Sequence, residues 1–102
     1  MNKTMGEKIA DIRETKLIEQ KMCCAGCGRE FQRGDSVELA HILPQRKWLI
    51  GKYGAEIIHH PMNLKATHTG DCNSEVQMSP NKTDLVAAHV ESIRKYIEEN
   101  KC

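Results

Sequence analysis

The sequence predicts an α+β fold in which a small β-β-α centre, stapled by a metal ion, lies between an N-terminal and a C-terminal helix. Three observations predict it. Apolar residues recur at helical spacing near both ends of the 102-residue chain. An apolar-polar alternation over residues 36–42 follows a turn-rich segment that contains cysteines. The central stretch, rich in Gly, His and polar residues, has too few apolar side chains to fold without a staple.

The length of 102 residues indicates one domain. We divide it into an N-terminal helix over 1–22, a metal-bound centre over 23–78 and a C-terminal helix over 79–102. We expect a cytoplasmic protein, because no leader or membrane span is visible in the sequence. We also expect it to be a monomer or a weak dimer. The net charge of +1 is weak support for a polyanion partner, since phosphate binding needs local clusters of cations.

The first half of the chain contains a helix, a turn and a strand. Residues 5–21 place apolar side chains three to four positions apart among Lys and Glu, which indicates an amphipathic helix. Residues 23–34 have turn chemistry with closely spaced thiols, and residues 36–42 form the first strand. Pro44 begins a second helical stretch that runs through Trp48 and Tyr53, with Gly54 as its C-terminal cap.

The second half is expected to supply the returning strand and two helices. Residues 55–58 are interpreted as the return strand, 63–68 as a short extended segment and 72–78 as a short helix. The last helix begins near Asn81 or Thr83, where Asn81 and Asp84 resemble a capping pair, and Cys102 lies on a frayed tail. We expect the two flanking helices to supply most of the apolar burial.

The five cysteines are odd in number and uneven in spacing, which favours metal ligation over a disulfide framework. Cys24 and Cys27 have the spacing of a zinc knuckle, and His68 and Cys72 flank the next suitable turn. Together they predict a closed tetrahedral site for structural Zn²⁺. Cys23 competes with Cys24 for the first position, and free buried thiols or a redox Cys-x-x-Cys pair are the alternatives.

Three short motifs between the two zinc half-sites carry a family resemblance. They are Glu-Leu-Ala-His-Ile-Leu-Pro over 38–44, Met-Asn-Leu over 62–64 and Cys-Asn over 72–73. In this order, enclosed by the metal ligands, they resemble the HNH endonucleases. More closely, the segment over residues 52–64 resembles small phage or prophage HNH proteins whose third motif residue is Asn. The resemblance covers about residues 23–77 and implies a zinc-stapled ββα-metal core.

The resemblance implies a role for each motif residue. His41 would be the general base that takes a proton from the attacking water, and Asn63 would hold His41 in position. Asn73 would ligate the catalytic Mg²⁺ or Mn²⁺, although it is also well placed to cap a helix. Ala40 stands where the family often has Asp or His, and we favour His60 as the replacement ligand over His59, Glu38 or Asp71.

The predicted partner is DNA, most simply double-stranded DNA that is nicked. Four basic residues between the base and the second zinc half-site are candidate phosphate contacts, or equally a solvated helix face: Arg46, Lys47, Lys52 and Lys65. Two alternatives from other functional classes are a catalytically inactive zinc-ribbon DNA-binding module and a zinc-stapled protein-interaction module. His89 and Tyr96 on the final helix are assigned no role.

Overall fold

The computed structural model describes residues 5–100, so Cys102 lies outside the described residues. The described residues form five helices, two strands and a short 3₁₀ turn at Pro61–Asn63. They are α1 (Met5–Glu19), β1 (Glu38–His41), α2 (Lys47–Tyr53), α3 (Ala55–Ile58), β2 (Leu64–Thr67), α4 (Asp71–Glu75) and α5 (Thr83–Glu99). The strands β1 and β2 pair as a two-stranded antiparallel sheet. The predicted mixture of helices around a small sheet is confirmed at this level.

The chain divides into two units, each with its own core. The first unit runs to Ala40 and resumes over Lys65–Val76, and the second comprises His41–Leu64 and the chain from Gln77 onward. Among the described residues, the hydrophobic cluster of the first unit has three buried members, Cys24, Phe31 and Ala66. The core of the second contains seven: Leu43, Leu49, Ile57, Ile58, Val86, Val90 and Ile93.

In the first unit, the side chain of Gln20 ties the end of α1 to the strand β2. Its Nε2 donates to the carbonyl of Ala66 at 2.9 Å, and its Oε1 accepts the N–H of the same residue at 2.9 Å. Nε2 also donates to the carbonyl of Cys23 at 2.8 Å. One amide therefore satisfies the backbone of β2 and of the cysteine-containing turn at the same time.

In the second unit, α5 packs the apolar stripe predicted from its sequence against α2 and α3. Val86, Val90 and Ile93 are buried at four- and three-residue spacing, as the sequence indicates. The cap of α2 also agrees with the prediction, because Gly54 has φ +93° and its N–H donates to the carbonyl of Ile50. A residue with a Cβ would be strained at that dihedral angle.

Asn63 is fully buried in the second unit and joins three parts of its backbone. Its Oδ1 accepts the N–H of Leu43 at 2.9 Å, while its Nδ2 donates to the carbonyls of Leu43 at 3.1 Å and Ile58 at 2.7 Å. His89 Nε2 also lies 2.9 Å from Oδ1, which gives that residue a role the sequence did not suggest. These contacts, called the Asn63 clamp below, hold the segment after His41 against the turn before β2.

Three expectations about the elements are wrong. Residues 55–58 form the short helix α3 and not a return strand, because they continue directly from the Gly54 turn and bury Ile57 and Ile58 on one side. Asn81 and Asp84 do not cap α5, whose N-cap is Lys82 without a side-chain hydrogen bond. The helix α1 contributes little burial, since Ile9 and Ile18 are 39% and 70% exposed.

Within residues 5–100, none of the helices has both the length and the apolar character that crossing a bilayer requires.

The Asn63 clamp predicts a large stability effect from one amide. Replacing Asn63 with Leu, of similar size, leaves the polar backbone groups of Leu43 and Ile58 buried without this partner, at about 1–3 kcal/mol each. We expect Asn63→Leu to lower the free energy of unfolding in urea by about 3 kcal/mol or more, and exposed Asn81→Leu to change it by less than about 1 kcal/mol. Equal effects of the two substitutions would contradict the clamp.

Candidate functional site

The four predicted zinc ligands lie together in the first unit. The ligand atoms of Cys24, Cys27, His68 and Cys72 all lie within 4.8 Å of one another. Cys27 Sγ and His68 Nδ1 are 3.5 Å apart. Tetrahedral Zn²⁺ with ordinary Zn–S and Zn–N bond lengths separates such atoms by about 3.6 Å. The donor set and its spacing therefore fit a structural metal ion, and the prediction that these four side chains lie together is confirmed.

Tight backbone hydrogen bonds form the first half-site. The N–H of Cys24 donates to the carbonyl of Arg29 at 2.8 Å, and the N–H of Gly28 returns to the carbonyl of Cys24 at 2.9 Å. Gly28 has φ +77°, which a residue with a side chain rarely adopts. The loop is tied to β2 by the N–H of Ala25, which donates to the carbonyl of Ala66 at 3.0 Å.

Gly26 is the point where the two half-sites meet. A Cβ added to it would lie 2.8 Å from Cys72 Cα and would also collide with the carbonyl oxygen of Cys72. Because these are backbone atoms, they cannot move aside without displacing the ligand itself. The second residue of the Cys-x-x-Cys loop, directly before Cys27, must therefore be Gly for the second half-site to approach.

The surroundings of the Cys24 sulfur favour its ionised, thiolate form. The sulfur is buried, which opposes ionisation, but it accepts backbone N–H groups from Gly26 at 3.3 Å, Cys27 at 3.5 Å and His68 at 3.3 Å. The hydrogen bonds outweigh the burial and lower the pKa of Cys24 from 9.0 to about 6. Burial and the neighbouring thiols instead raise the pKa of Cys72 to about 11.

Asp35 orients the histidine ligand and was missed by the sequence interpretation. Its Oδ2 lies 3.0 Å from His68 Nε2 and also accepts the N–H of Gln32 at 2.7 Å. The hydrogen bond that His68 donates to Asp35 is the main reason that the pKa of His68 rises to about 9. It holds the proton on Nε2 and leaves Nδ1 for a metal ion, an arrangement common at zinc sites. Nothing in the spacing of Asp35 from the ligands could have revealed it.

Cys23 stands apart from the cluster. Its thiol donates to the carbonyl of Lys21 at 3.6 Å, and its backbone forms an isolated antiparallel bridge with Glu30. The choice between Cys23 and Cys24 is therefore settled in favour of Cys24. Since Cys24, Cys27 and Cys72 are all free thiols, they are also available to a metal ion.

His41, at the end of β1, belongs to the second unit and faces two side chains. Its Nε2 lies 3.2 Å from His59 Nδ1, and its Nδ1 lies 3.2 Å from Gln45 Nε2. Burial of the ring, and then the charge of His59, lower the pKa of His41 below its ordinary value of 6.5. His41 is therefore neutral at neutral pH and carries one nitrogen lone pair that can accept a proton.

The orientation of the Gln45 amide decides which nitrogen of His41 is the base. With Nε2 of Gln45 donating, the neutral His41 ring accepts at Nδ1 and carries its own proton on Nε2, toward His59. Turning that amide by half a turn places its oxygen against Nδ1 and frees the lone pair on Nε2. The oxygen and nitrogen of a glutamine amide have nearly the same shape, so both arrangements fit the same space.

The remaining predicted site residues are distributed over both units. In the first unit, Asn73 on α4 donates from Nδ2 to Glu38 Oε1 at 3.3 Å, which places two oxygen-bearing side chains together. In the second unit, His60 Nδ1 accepts the N–H of Met62 at 3.1 Å. The rings of His60 and Tyr96 meet edge to face, with their centres 5.6 Å apart. His59, not favoured from the sequence, is the residue that contacts His41.

The basic residues predicted to contact DNA also divide between the units. Arg46, Lys47 and Lys52 are exposed at and along α2 in the second unit. The Nζ of Lys52 lies 5.3 Å from the centre of the Tyr53 ring. Lys65 is half-buried in β2, in the first unit. The helix α2 therefore displays three of the four cations to solvent.

Comparison with known protein families, with curated proteins and with solved structures finds no match for this chain. The candidate sites therefore stand on their geometry.

The Cys₃His cluster predicts selective loss of metal from one cysteine variant. We expect the purified protein to hold one Zn²⁺ per chain, and Cys24→Ser to lose it because Ser offers no thiolate. The matched variant Cys23→Ser should keep the ion, since that thiol is outside the cluster. Metal content and the sulfur-to-metal absorption bands of the Co²⁺-substituted protein measure both. Retention of the ion by Cys24→Ser, or its loss from Cys23→Ser, would contradict this assignment.

Asp35→Asn should weaken metal binding in a pH-dependent way. Near pH 9, about the pKa of His68, loss of the carboxylate should reduce Zn²⁺ affinity about 10–100-fold. At pH 7 the loss should be smaller, because Asp35 also stabilises the proton that competes with the ion for His68. Competition with a chelator at the two pH values measures this. An unchanged affinity at both would show that Asp35 does not support the ligand.

Proposed function

We propose that this chain is a metal-dependent DNA endonuclease of the HNH type, stapled by structural Zn²⁺ and nicking double-stranded DNA with His41 as general base. Zn²⁺ is favoured for the staple because three thiolates and one imidazole form a closed, soft donor set with no open position. The staple fixes the fold of the first unit and takes no part in hydrolysis.

The observation that carries the nuclease proposal is the environment of His41. Its ring is neutral at neutral pH, ends a strand, and is followed by backbone held by the Asn63 clamp through Leu43. Such a clamp fixes the direction in which the strand-end imidazole points, which a general base needs. Gln45 adds a side-chain contact at Nδ1, and the orientation of its amide sets the tautomer of the ring.

The proposed chemical step is hydrolysis of one phosphodiester. His41 Nε2 accepts a proton from water, the resulting hydroxide attacks phosphorus, and the bond from phosphorus to the 3′-oxygen breaks. The products are a 5′-phosphate and a 3′-hydroxyl that takes its proton from solvent. The step uses the His41 tautomer with its proton on Nδ1, which requires the Gln45 amide to be turned so that its oxygen, and not its Nε2, faces that proton.

The resemblance adds a divalent cation, Mg²⁺ or Mn²⁺, that polarises the scissile phosphate when bound. Asn73 is the ligand it implies, and the adjacent Glu38 supplies a carboxylate of the type that hard cations prefer. Asn73 and Glu38 replace His60 in our assignment, because Nδ1 of His60 already accepts a hydrogen bond from the N–H of Met62. Ala40, 1% exposed and apolar, offers no ligand.

The three exposed cations on α2 are proposed to contact DNA phosphates. Arg46 and Lys47 stand at the beginning of the helix and Lys52 in its last turn. Contacts of this kind position a duplex without reading its sequence, and they weaken as salt increases.

A non-catalytic zinc-stapled DNA-binding module is the second candidate, favoured by one observation. The position before His41 is the buried, apolar Ala40, so it contributes no oxygen or nitrogen to a cation. Such a protein would keep the cations of α2 and the zinc staple and would bind DNA without cutting it.

Nicking of supercoiled plasmid tests the nuclease proposal. With Mg²⁺ or Mn²⁺, the zinc-loaded protein should convert the plasmid to open circles, and His41→Ala should be slower by about 10²–10⁴-fold because the general base is lost. Gln45→Glu should retain nicking, since its carboxylate accepts the Nδ1 proton of His41 as the amide oxygen does. Ser92→Ala, an exposed change on α5, is the matched control.

The outcomes of this experiment separate the candidates. Equal nicking by the wild type and His41→Ala would show that the activity comes from elsewhere. A salt-sensitive shift of DNA in a gel, with every strand intact, would support the non-catalytic module. Absence of both cleavage and binding would contradict both DNA functions.

A further inference from the structure

His41 and His59 form a pair that the proposed reaction does not require. Their nitrogens, Nε2 of His41 and Nδ1 of His59, face each other at 3.2 Å, and the two rings are nearly perpendicular at 84°. His59 is exposed and His41 is half-buried, so one face of the pair is open to solvent. Both residues belong to the second unit, apart from the four thiol and imidazole ligands of the first.

The distance between the two nitrogens suits a shared metal ion as well as a shared proton. Two metal–nitrogen bonds of ordinary length place their nitrogens about 2.9 Å apart at a right angle and about 3.4 Å apart at a tetrahedral angle. The observed 3.2 Å lies between these limits. An ion bound to both nitrogens would displace the proton that lies between them.

The neighbour of His41 completes the arrangement. An imidazole that binds a metal through one nitrogen normally donates its other N–H to an oxygen. Gln45 Nε2 lies 3.2 Å from His41 Nδ1, and half a turn of that amide would place its oxygen there to accept the N–H. The opposite ring nitrogen of His41 then carries the lone pair toward His59.

We propose that His41 and His59 chelate a borderline transition-metal ion, of the class of Ni²⁺, Cu²⁺ or Zn²⁺, at a second metal site separate from the Cys₃His cluster. Imidazole nitrogen is a preferred ligand of these ions and a poor one for Mg²⁺, which takes oxygen. Water completes the coordination on the open face. The site is therefore selective for ion type and leaves Mg²⁺ in solution.

One consequence rests on the proposed function. The nitrogen that would bind the ion, Nε2 of His41, is the one that accepts the proton in hydrolysis. An ion at the pair occupies that lone pair, so micromolar transition metal should inhibit nicking supported by Mg²⁺. Mg²⁺ would then support DNA cleavage by this protein, and a transition-metal ion would inhibit it.

Calorimetric titration of untagged, zinc-loaded protein with Ni²⁺ tests the proposal without DNA. The wild type should bind one Ni²⁺ per chain, and His59→Ala should weaken that binding by about tenfold or more, because one imidazole of the chelate is lost. His60→Asn is the matched control: Asn is a good N-cap for the 3₁₀ turn, and its binding should equal that of the wild type. Measured zinc content and helix content establish that each variant is folded.

Two results would overturn the proposal. They are equal Ni²⁺ affinity in the wild type and His59→Ala, or loss of Ni²⁺ binding in His60→Asn. Paramagnetic broadening by Ni²⁺ should be centred on Ile42, Gln45 and His59, and broadening centred on the Cys₃His cluster would also reject it. If the protein nicks DNA, His59→Ala should resist inhibition by Ni²⁺. If it does not nick DNA, the titration alone decides the second site, so the two proposals fail separately.

Discussion

The constraint on which the first unit depends is the convergence of three sulfurs and one imidazole from two segments that are far apart in the chain. Cys27 and His68, which lie 3.5 Å apart, are separated by 41 positions. Closing so long a loop has an entropic cost that three buried apolar residues offset poorly. A structural zinc ion, which we propose for this cluster, contributes about 10–16 kcal/mol to the folding of small modules and would offset that cost.

The charges of the cluster explain how it would accept an ion. At neutral pH the sulfur of Cys24 is already a thiolate, whereas Cys72 and His68, with pKa values of about 11 and 9, hold protons. Metal binding must release those protons, so affinity rises with pH through this range. Protein contacts also connect the two segments: Gln20 bonds to Ala66, Asp35 bonds to His68, and Gly26 lets Cys72 approach closely.

Local patterns predicted the parts of the fold that local chemistry determines. The Cys-x-x-Cys loop, the Gly54 cap and the stripe on α5 each reflect the spacing of a few neighbouring residues. Partnerships between distant residues could not be predicted in this way: Asp35 with His68, His59 with His41, and His89 with Asn63 are set by tertiary folding. Residues 55–58 show the same limit, because a four-residue apolar run fits a strand or one helical turn equally well.

X-ray absorption at the zinc edge of the purified protein measures the proposed coordination of the ion. We expect three sulfur neighbours at about 2.3 Å and one nitrogen at about 2.0–2.1 Å, with no bound water. A shell made only of nitrogen and oxygen, or a protein that folds without zinc with Cys24 and Cys72 joined in a disulfide, would contradict it.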